Sequence, residues 1–175
     1  MLGEKMHRAP MYDMEAVQPM RDELVAVGFE DLRTSQDVDR VFGEMKGTLF
    51  VMINSVCGCA AGSARPGVAL ALQHTVIPDR LVTVFAGMEY DAVDRVRELH
   101  AGYPPSSPSM VLFKDGTLAA MVERSKIEGR TPEQVASELV QIFTRHCSRP
   151  GPSIPAREFA QLDFAKVCGS SIPRY

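Results

Sequence analysis

The spacing of apolar and polar positions along the chain predicts a series of alternating strands and helices. The most apolar run, Leu49–Asn54, is bounded by polar residues, which is typical of a strand buried on both faces of a sheet. Two further apolar runs, 81–86 and 110–113, predict strands as well. The second is followed by the turn 114–116 and by an antiparallel partner strand, 117–122.

Apolar residues three and four positions apart predict helices between these strands. The expected helices cover 19–28, with Pro19 at the first position, then 35–47, 60–74, 89–100, and a last helix that starts at the cap Thr131-Pro132-Glu133-Gln134. The resulting order is α-α-β-α-β-α-β-β-α. It favours an α/β fold with a central, largely parallel sheet, an antiparallel hairpin at one edge, and helices on both faces.

The regular pattern stops near Cys147, so we expect one domain over residues 14–147. Beyond it, the segment Arg149-Pro150-Gly151-Pro152 interrupts any periodicity. Residues 148–175 are therefore expected to form a C-terminal extension that is either docked on the domain or partly disordered. A chain of 175 residues is long enough for one domain with a proper core and such an extension.

Charge and hydropathy exclude several classes of function. The formal net charge is −3 and basic residues are scattered, which argues against a nucleic-acid partner. No apolar run approaches the roughly 18 residues that a membrane span needs. The first ten residues contain no hydrophobic signal core, so we expect a cytoplasmic protein. In that compartment a close pair of cysteines indicates a metal site or a catalytic site rather than a structural disulfide.

The candidate chemistry lies in Cys57-Gly58-Cys59, between the buried strand and the following helix. A helix N-terminus favours a thiolate over a thiol, and Cys57 precedes the helix, so Cys57 is the expected nucleophile. Cys59 is expected to resolve the adduct or to modulate Cys57. A disulfide across one residue closes a tight ring, for which Gly58 is the residue best able to bend. The pair should therefore be a relatively oxidising couple.

A metal site is the main alternative from the residue types. Cys57 and Cys59 with His146 and Cys147 would supply a plausible set of zinc ligands. In that case the protein would be a zinc- or iron–sulfur-binding interaction module without turnover. The single-residue spacing departs from the usual two to four residues between ligands, so we expect no metal.

Several segments together resemble one known family. The central segment is Asn54-Ser55-Val56-Cys57-Gly58-Cys59-Ala60-Ala61-Gly62, which continues to Ala64-Arg65-Pro66. The other matching segments, in chain order, are 18–21, 28–32, 82–87, 105–110 and 127–129. This pattern, spread over roughly Met14 to Cys147, is similar to that of the bacilliredoxins, which are thioredoxin-fold proteins with a Cys-Gly-Cys motif.

The resemblance implies a fold and a reaction. It implies a thioredoxin-like fold and an oxidoreductase in which Cys57 attacks the mixed disulfide between a client protein and bacillithiol. The client would be freed and bacillithiol carried away. The implied partners are client proteins and a low-molecular-weight thiol that acts as co-substrate, with no bound cofactor. A general disulfide isomerase or weak reductase is the alternative within the same class. The oligomeric state stays open.

The resemblance also implies a substrate-binding set made of Gly58, Arg65, Ser107 and Pro108. In thioredoxin-like folds the proline at the position of Pro108 is cis and lies beside the cysteine pair, where the backbone of its neighbour can pair with a substrate. Arg65 is the only charged residue in the helix after the motif. It is expected either to stabilise a thiolate or hold a carboxylate of the thiol, or to be an exposed helix charge.

Overall fold

A computed structural model describes residues 8–162 of the chain. The helices are α1 Met14–Val25, α2 Ser35–Gly43, α3 Arg65–Ala71, α4 Tyr90–Leu99, α5 Pro132–His146 and α6 Ala156–Phe159. The strands are β1 Glu30–Asp31, β2 Thr48–Asn54, β3 Val76–Ile77, β4 Arg80–Phe85, β5 Ser109–Lys114, β6 Thr117–Val122 and β7 Arg149–Pro150. Within this part of the chain, no helix is both long and apolar enough to cross a membrane.

The main sheet has five strands in the order β1-β4-β2-β5-β6. The central strand β2 runs parallel to β4 and antiparallel to β5, and β6 returns antiparallel to β5 at the edge. Without β1, the order is that of the thioredoxin fold, in which a β-α-β unit is followed by a helix, a hairpin and a last helix. The expected mixed sheet with an antiparallel edge hairpin is confirmed. The two-residue strand β1 was not predicted, because so short a segment carries no periodicity.

Both faces of the sheet are buried, as the apolar run in β2 predicts. Phe50 and Met52 point to the face covered by α3 and α5, where Phe50 meets Phe143 edge to face with ring centroids 5.3 Å apart. Alternate residues of the same strand, such as Val51, point to the face covered by α2 and α4. Because successive side chains of a strand point to opposite faces, two helical layers demand a strand that is apolar throughout.

The first helix begins earlier than the sequence pattern predicts. It starts at Met14, and Pro19 lies inside it rather than at its first position. The side chain of Asp13 accepts hydrogen bonds from the amides of Glu15 and Ala16, so Asp13 is the residue that caps this helix. A proline in the second turn removes only one backbone hydrogen bond, which the cap and the buried apolar side of the helix outweigh.

The helix that follows Cys57 is not α-helical throughout, and it ends at Ala71 rather than near residue 74. A π-helical turn, Ala60–Ala64, precedes α3, and Pro66 occupies the start of α3. Because Pro66 has no amide hydrogen and its ring displaces the carbonyl four residues earlier, the backbone before it widens. Further along, Gly67 lies so close to α5 that an added Cβ would be 2.8 Å from the Cβ of Val135. The helix that follows the cysteine turn is thus held tightly against α5.

The described part of the C-terminal extension, up to Leu162, is docked on the domain. Strand β7 pairs with β3 in a small second sheet. The amide of Ser153 donates to the carbonyl of Leu72 at 2.9 Å, and Phe159 and Leu162 pack against the main core. Residues 163–175, which include Cys168, lie outside the described residues.

Candidate active site

Three segments that carry chemistry meet at one end of the sheet. In the register between β2 and β5, Ile53 lies opposite Ser109, so the turn after β2 is next to the loop before β5. In the hairpin, Met110 lies opposite Val122, so the segment after β6 reaches the same end. The first segment holds the cysteines, the second holds Ser107-Pro108, and the third holds Arg124. The pairing of the strands therefore assembles the site from distant parts of the chain.

The cysteine pair sits where strand changes to helix, as the sequence predicts. Cys57 and Cys59 are both free thiols of intermediate exposure, and their sulfur atoms are 2.7 Å apart. The carbonyl of Cys57 accepts hydrogen bonds from the amides of Ala60 at 3.0 Å and Ala61 at 3.2 Å. The helix begins with these two bonds. The amide of Cys57 donates to the hydroxyl oxygen of Ser55 at 3.3 Å. These bonds hold the Cys57 sulfur at the first helical turn, where the Ala60 amide also acts on it.

The pKa values of the two thiols are shifted in opposite directions. Burial raises the pKa of Cys57, but hydrogen bonds from the Cys59 thiol, the Ser55 hydroxyl and the Ala60 amide, together with the charge of Arg124, outweigh burial and leave that pKa below its ordinary value. Burial and the neighbouring Cys57 sulfur raise the pKa of Cys59 to about 11. In the reduced protein Cys57 is therefore the more acidic of the two thiols, and the Cys59 thiol donates a hydrogen bond to it. This distribution favours Cys57 as nucleophile.

Gly58 lies exposed between the two sulfurs. Its φ is outside the left-handed region, and a Cβ added to it would meet no atom within 4 Å. The reduced turn therefore needs glycine neither for its backbone nor for packing. The bend expected of Gly58 belongs to the disulfide form.

The peptide bond between Ser107 and Pro108 is cis. Pro108 is buried and Ser107 is partly exposed, at the start of β5 beside the cysteine turn. The carbonyl oxygen of Ser107 accepts a hydrogen bond from Nη1 of Arg124 at 3.4 Å. The structure thus brings these two predicted residues to the end of the sheet where the cysteines lie.

The sequence predicts that Arg65 either acts on a thiolate or on a carboxylate of the thiol, or is an exposed helix charge. Its surroundings in the structure fit neither prediction. Its side chain is 0% exposed, and its Nε donates to Oε2 of Glu23 at 2.5 Å. Nη1 donates to Oδ1 of Asn54 at 3.1 Å and to the carbonyl of Ser55 at 2.9 Å. An arginine so enclosed is neither a solvated helix charge nor a group that a substrate can reach. The sequence interpretation was wrong because burial depends on which side of the helix packs inward.

The buried arginine instead supports the backbone that leads into the cysteine turn. Asn54 is fully buried, and its Oδ1 also accepts from the amide of Ser55 at 2.9 Å. Its Nδ2 donates to the carbonyl of Met20 at 3.1 Å. Glu23 and Met20 both belong to α1, so the network ties this helix to the residues immediately before Cys57. We infer that Arg65 is a positioning residue rather than a ligand.

Arg124 is the functional candidate that the sequence interpretation missed. It begins a short 3₁₀ turn, Arg124–Lys126, one residue after β6. Its positive charge acts to lower the pKa of both cysteines, although burial and the Cys57 sulfur leave the pKa of Cys59 raised overall. The cysteines in turn raise the pKa of Arg124. No local pattern marks Arg124, because its place beside the sulfurs depends on the register of the hairpin. The one signal available was topological, since β6 was predicted to return toward the end of the sheet where β2 finishes.

The proposed set of metal ligands is not brought together. Cys147 follows the last residue of α5, and its thiol is hydrogen-bonded to Thr48 at the start of β2. Cys57 follows the other end of β2, a strand of seven residues, and a strand of that length spans about 20 Å. Among residues 8–162, no three residues with histidine, cysteine or carboxylate side chains form a group suited to a metal ion. The alternative of one ion held by Cys57, Cys59, His146 and Cys147 is contradicted.

The sheet has the thioredoxin topology, and at one end it carries two thiols whose pKa values are shifted in opposite directions. The more acidic thiol lies at the start of a helix. These features define the class of thiol–disulfide oxidoreductases. The model of the Disulphide isomerase family matches residues 12–147. A bacilliredoxin of Staphylococcus aureus strain MRSA252 is 48% identical over 137 residues, which are 78% of this chain and 94% of the relative. A bacilliredoxin of strain NCTC 8325 matches with the same identity and coverage.

The chain therefore belongs to the bacilliredoxin family, and the predicted family and enzyme class are confirmed. Among solved structures, a protein with a thioredoxin fold is similar with a TM-score of 0.49 and 18% identity, over 68% of this chain and 96% of the other.

Proposed function

We propose that this protein removes bacillithiol from mixed disulfides on client proteins in the cytoplasm. The observation that supports the proposal most directly is the difference in pKa between the two thiols of the cysteine turn. Cys57 has the lowered pKa and Cys59 the raised one, with their sulfurs 2.7 Å apart. The names of the curated relatives support bacillithiol as the thiol. Client proteins and that thiol are then the partners, and no bound cofactor takes part.

In the first step the Cys57 thiolate attacks the bacillithiol sulfur of the mixed disulfide. A new sulfur–sulfur bond forms between Cys57 and bacillithiol, the old bond breaks, and the client cysteine leaves as a thiolate that takes a proton from water. The client is reduced and Cys57 now carries the adduct. Cys57 is of intermediate exposure, and Gly58 beside it is exposed.

The second step returns bacillithiol to solution. The Cys59 sulfur attacks the Cys57 sulfur, bacillithiol leaves as a thiolate, and a disulfide between the two cysteines remains for an external thiol to reduce. In the free protein burial raises the pKa of Cys59 most, and the hydrogen bond and negative charge of Cys57 raise it further. Once Cys57 carries the adduct that charge is gone, so Cys59 ionises more easily when it is needed. A second low-molecular-weight thiol could also attack the adduct and leave Cys59 as a modulator.

A general disulfide isomerase or weak reductase is a second candidate. The description of the matching family model favours it, because that description is Disulphide isomerase. The same nucleophile would then attack disulfides within a protein rather than adducts with a small thiol. The two functions differ in substrate but not in the role of Cys57.

The test compares a bacillithiolated model protein with a scrambled disulfide protein. We expect the wild type to release the client thiol faster than it repairs the scrambled protein. Cys57→Ser should abolish both activities, because serine cannot form the mixed disulfide. Cys59→Ser should still release the client and accumulate a bacillithiol adduct on Cys57, which mass spectrometry of the intact protein measures.

Cys147→Ser is the matched control, since this partly buried thiol lies at the opposite end of β2. It should leave both activities unchanged. Full activity in Cys57→Ser would overturn the assigned nucleophile. Faster repair of scrambled disulfides than of the bacillithiolated client would favour the isomerase.

A further inference from the structure

Arg124 differs from the other arginines around the site in how loosely it is held. Its side chain is 42% exposed, and its two side-chain contacts are both long. Nη1 is 3.4 Å from the carbonyl oxygen of Ser107, and Nη2 is 3.5 Å from Oε1 of Glu128. By contrast, Nη1 of Arg130 donates to the carbonyl of Lys126 at 2.8 Å and is paired with Glu138. Arg124 therefore has donors to spare.

The N–H donors of Arg124 that have no close partner lie near the two cysteine sulfurs, and this position suggests a function for them. Arg124 follows β6 at the end of the sheet where the cysteines lie, and its charge acts on both sulfurs. Its contact with the Ser107 carbonyl places the guanidinium beside the loop before β5, and the side chain remains accessible to solvent. A planar guanidinium can hold both oxygens of a carboxylate with parallel hydrogen bonds.

We propose that Arg124 binds a carboxylate of the low-molecular-weight thiol during transfer, and that the enzyme thereby prefers carboxylate-bearing thiols to neutral ones. This inference rests on the proposed function and names the residue that selects its substrate class. The role that the sequence suggested for Arg65 thus falls to an arginine that solvent can reach. Holding the carboxylate positions the small thiol's sulfur, rather than the client's, for attack by Cys57.

Glu128 is the internal competitor for the same guanidinium. Its side chain is 62% exposed, and it approaches Arg124 at the limit of a hydrogen bond. An incoming carboxylate must displace this weak contact. Removing the Glu128 carboxylate should therefore strengthen binding of an anionic thiol, whereas removing the Arg124 guanidinium should weaken it.

The test uses one peptide carrying a mixed disulfide either with glutathione, which has carboxylates, or with 2-mercaptoethanol, which is neutral. The measured quantity is the ratio of kcat/KM for the glutathione adduct to that for the neutral adduct. Any general effect on the Cys57 thiolate changes both substrates and cancels in the ratio. Arg124→Gln should lower the ratio about fivefold, the upper range for one exposed ion pair. Glu128→Gln should raise it about twofold.

Two further variants separate charge from geometry. Arg124→Lys keeps the charge and loses the planar fork, so the pH profile of Cys57 alkylation should stay near wild type while the ratio falls. Arg95→Gln is the matched control, because Arg95 is 38% exposed and pairs with Asp39 and Glu98 on helices α2 and α4. It should leave the ratio unchanged.

An unchanged ratio in both Arg124→Gln and Glu128→Gln, with the wild type cleaving both adducts, would overturn the role of Arg124 and leave the proposed function standing. A wild type that cleaves neither adduct, and does not cleave a bacillithiol adduct, would overturn both.

Discussion

The cysteine turn lies between two arginines with opposite surroundings. On what we call the inner side, Arg65 is enclosed and makes hydrogen bonds of 2.5–3.1 Å to Glu23, Asn54 and Ser55. On the outer side, Arg124 is 42% exposed and makes two contacts of 3.4–3.5 Å. The same type of residue, arginine, therefore supports the backbone on the inner side and presents its charge to a ligand on the outer side. Burial, rather than residue type or distance along the chain, decides which.

The physical reason is the cost of moving a charge out of water. A buried guanidinium must have its charge and its donors compensated by the protein, so its neighbours become fixed around it. An exposed guanidinium is solvated and gains little from any one partner, so it stays available to an incoming anion. The inner side can therefore hold the backbone before Cys57 rigid while the outer side exchanges ligands.

The largest expected effect is on stability. Arg65→Met leaves a buried carboxylate without its cation, and removing one member of a buried pair costs about 3–5 kcal/mol. Arg124→Met should change the free energy of unfolding by no more than about 0.5 kcal/mol, as at most exposed positions. Urea unfolding of both variants measures the difference.

A double variant, Arg65→Met with Glu23→Met, is the control for this prediction. It removes both charges and should recover much of the lost stability. Equal stability of the two single methionine variants would contradict the division into inner and outer sides.

A medium effect is expected on the acidity of Cys57, to which both sides contribute. The pKa of this thiol is lowered, so its alkylation by neutral iodoacetamide should begin at a lower pH than that of an ordinary cysteine. Ser55→Ala removes a hydrogen bond from the inner side and should raise the midpoint of the alkylation profile. Arg124→Gln removes a charge from the outer side and should raise it less, because solvent screens that charge.

The alkylation rates are read from pH 5 to 10, with mass spectrometry to assign the modified sulfur. Above both midpoints the variants should react as fast as wild type, since Cys57 is then fully ionised in each. Cys59, with a pKa of about 11, should stay largely unmodified until Cys57 has reacted. A larger shift in Arg124→Gln than in Ser55→Ala would reverse the ranking of the two sides.

The smallest effect is expected at Gly58. The reduced turn has open space around this residue and no left-handed backbone. Gly58→Ala should therefore change the free energy of unfolding of the reduced protein by no more than about 0.5 kcal/mol. Thermal unfolding under reducing conditions measures it, and a drop of several kcal/mol would show that the reduced turn does depend on glycine.

Much of the fold could be predicted because its signals are local. Each of these signals is contained within a few consecutive residues: the apolar run of β2, the helix start after Cys57 and the capping box at Thr131. The cap of α1 was missed, because Pro19 is a stronger sequence signal than Asp13 although Asp13 makes the hydrogen bonds. The sequence does not predict whether residues 148–162 dock on the domain, because two-residue strands such as β7 have no pattern of their own.

By itself, the sequence determined which residues are the candidates for the reaction. Cys57 and Cys59 stand at the junction of a buried strand and a helix, where the start of the helix favours a thiolate at Cys57. Only the tertiary structure decided which charged residues serve them. Arg65 faces the interior because its side of the helix packs on α1, and Arg124 reaches the sulfurs because β6 pairs in one register with β5. Burial and strand register are properties of packing between distant segments, so no local pattern could reveal them.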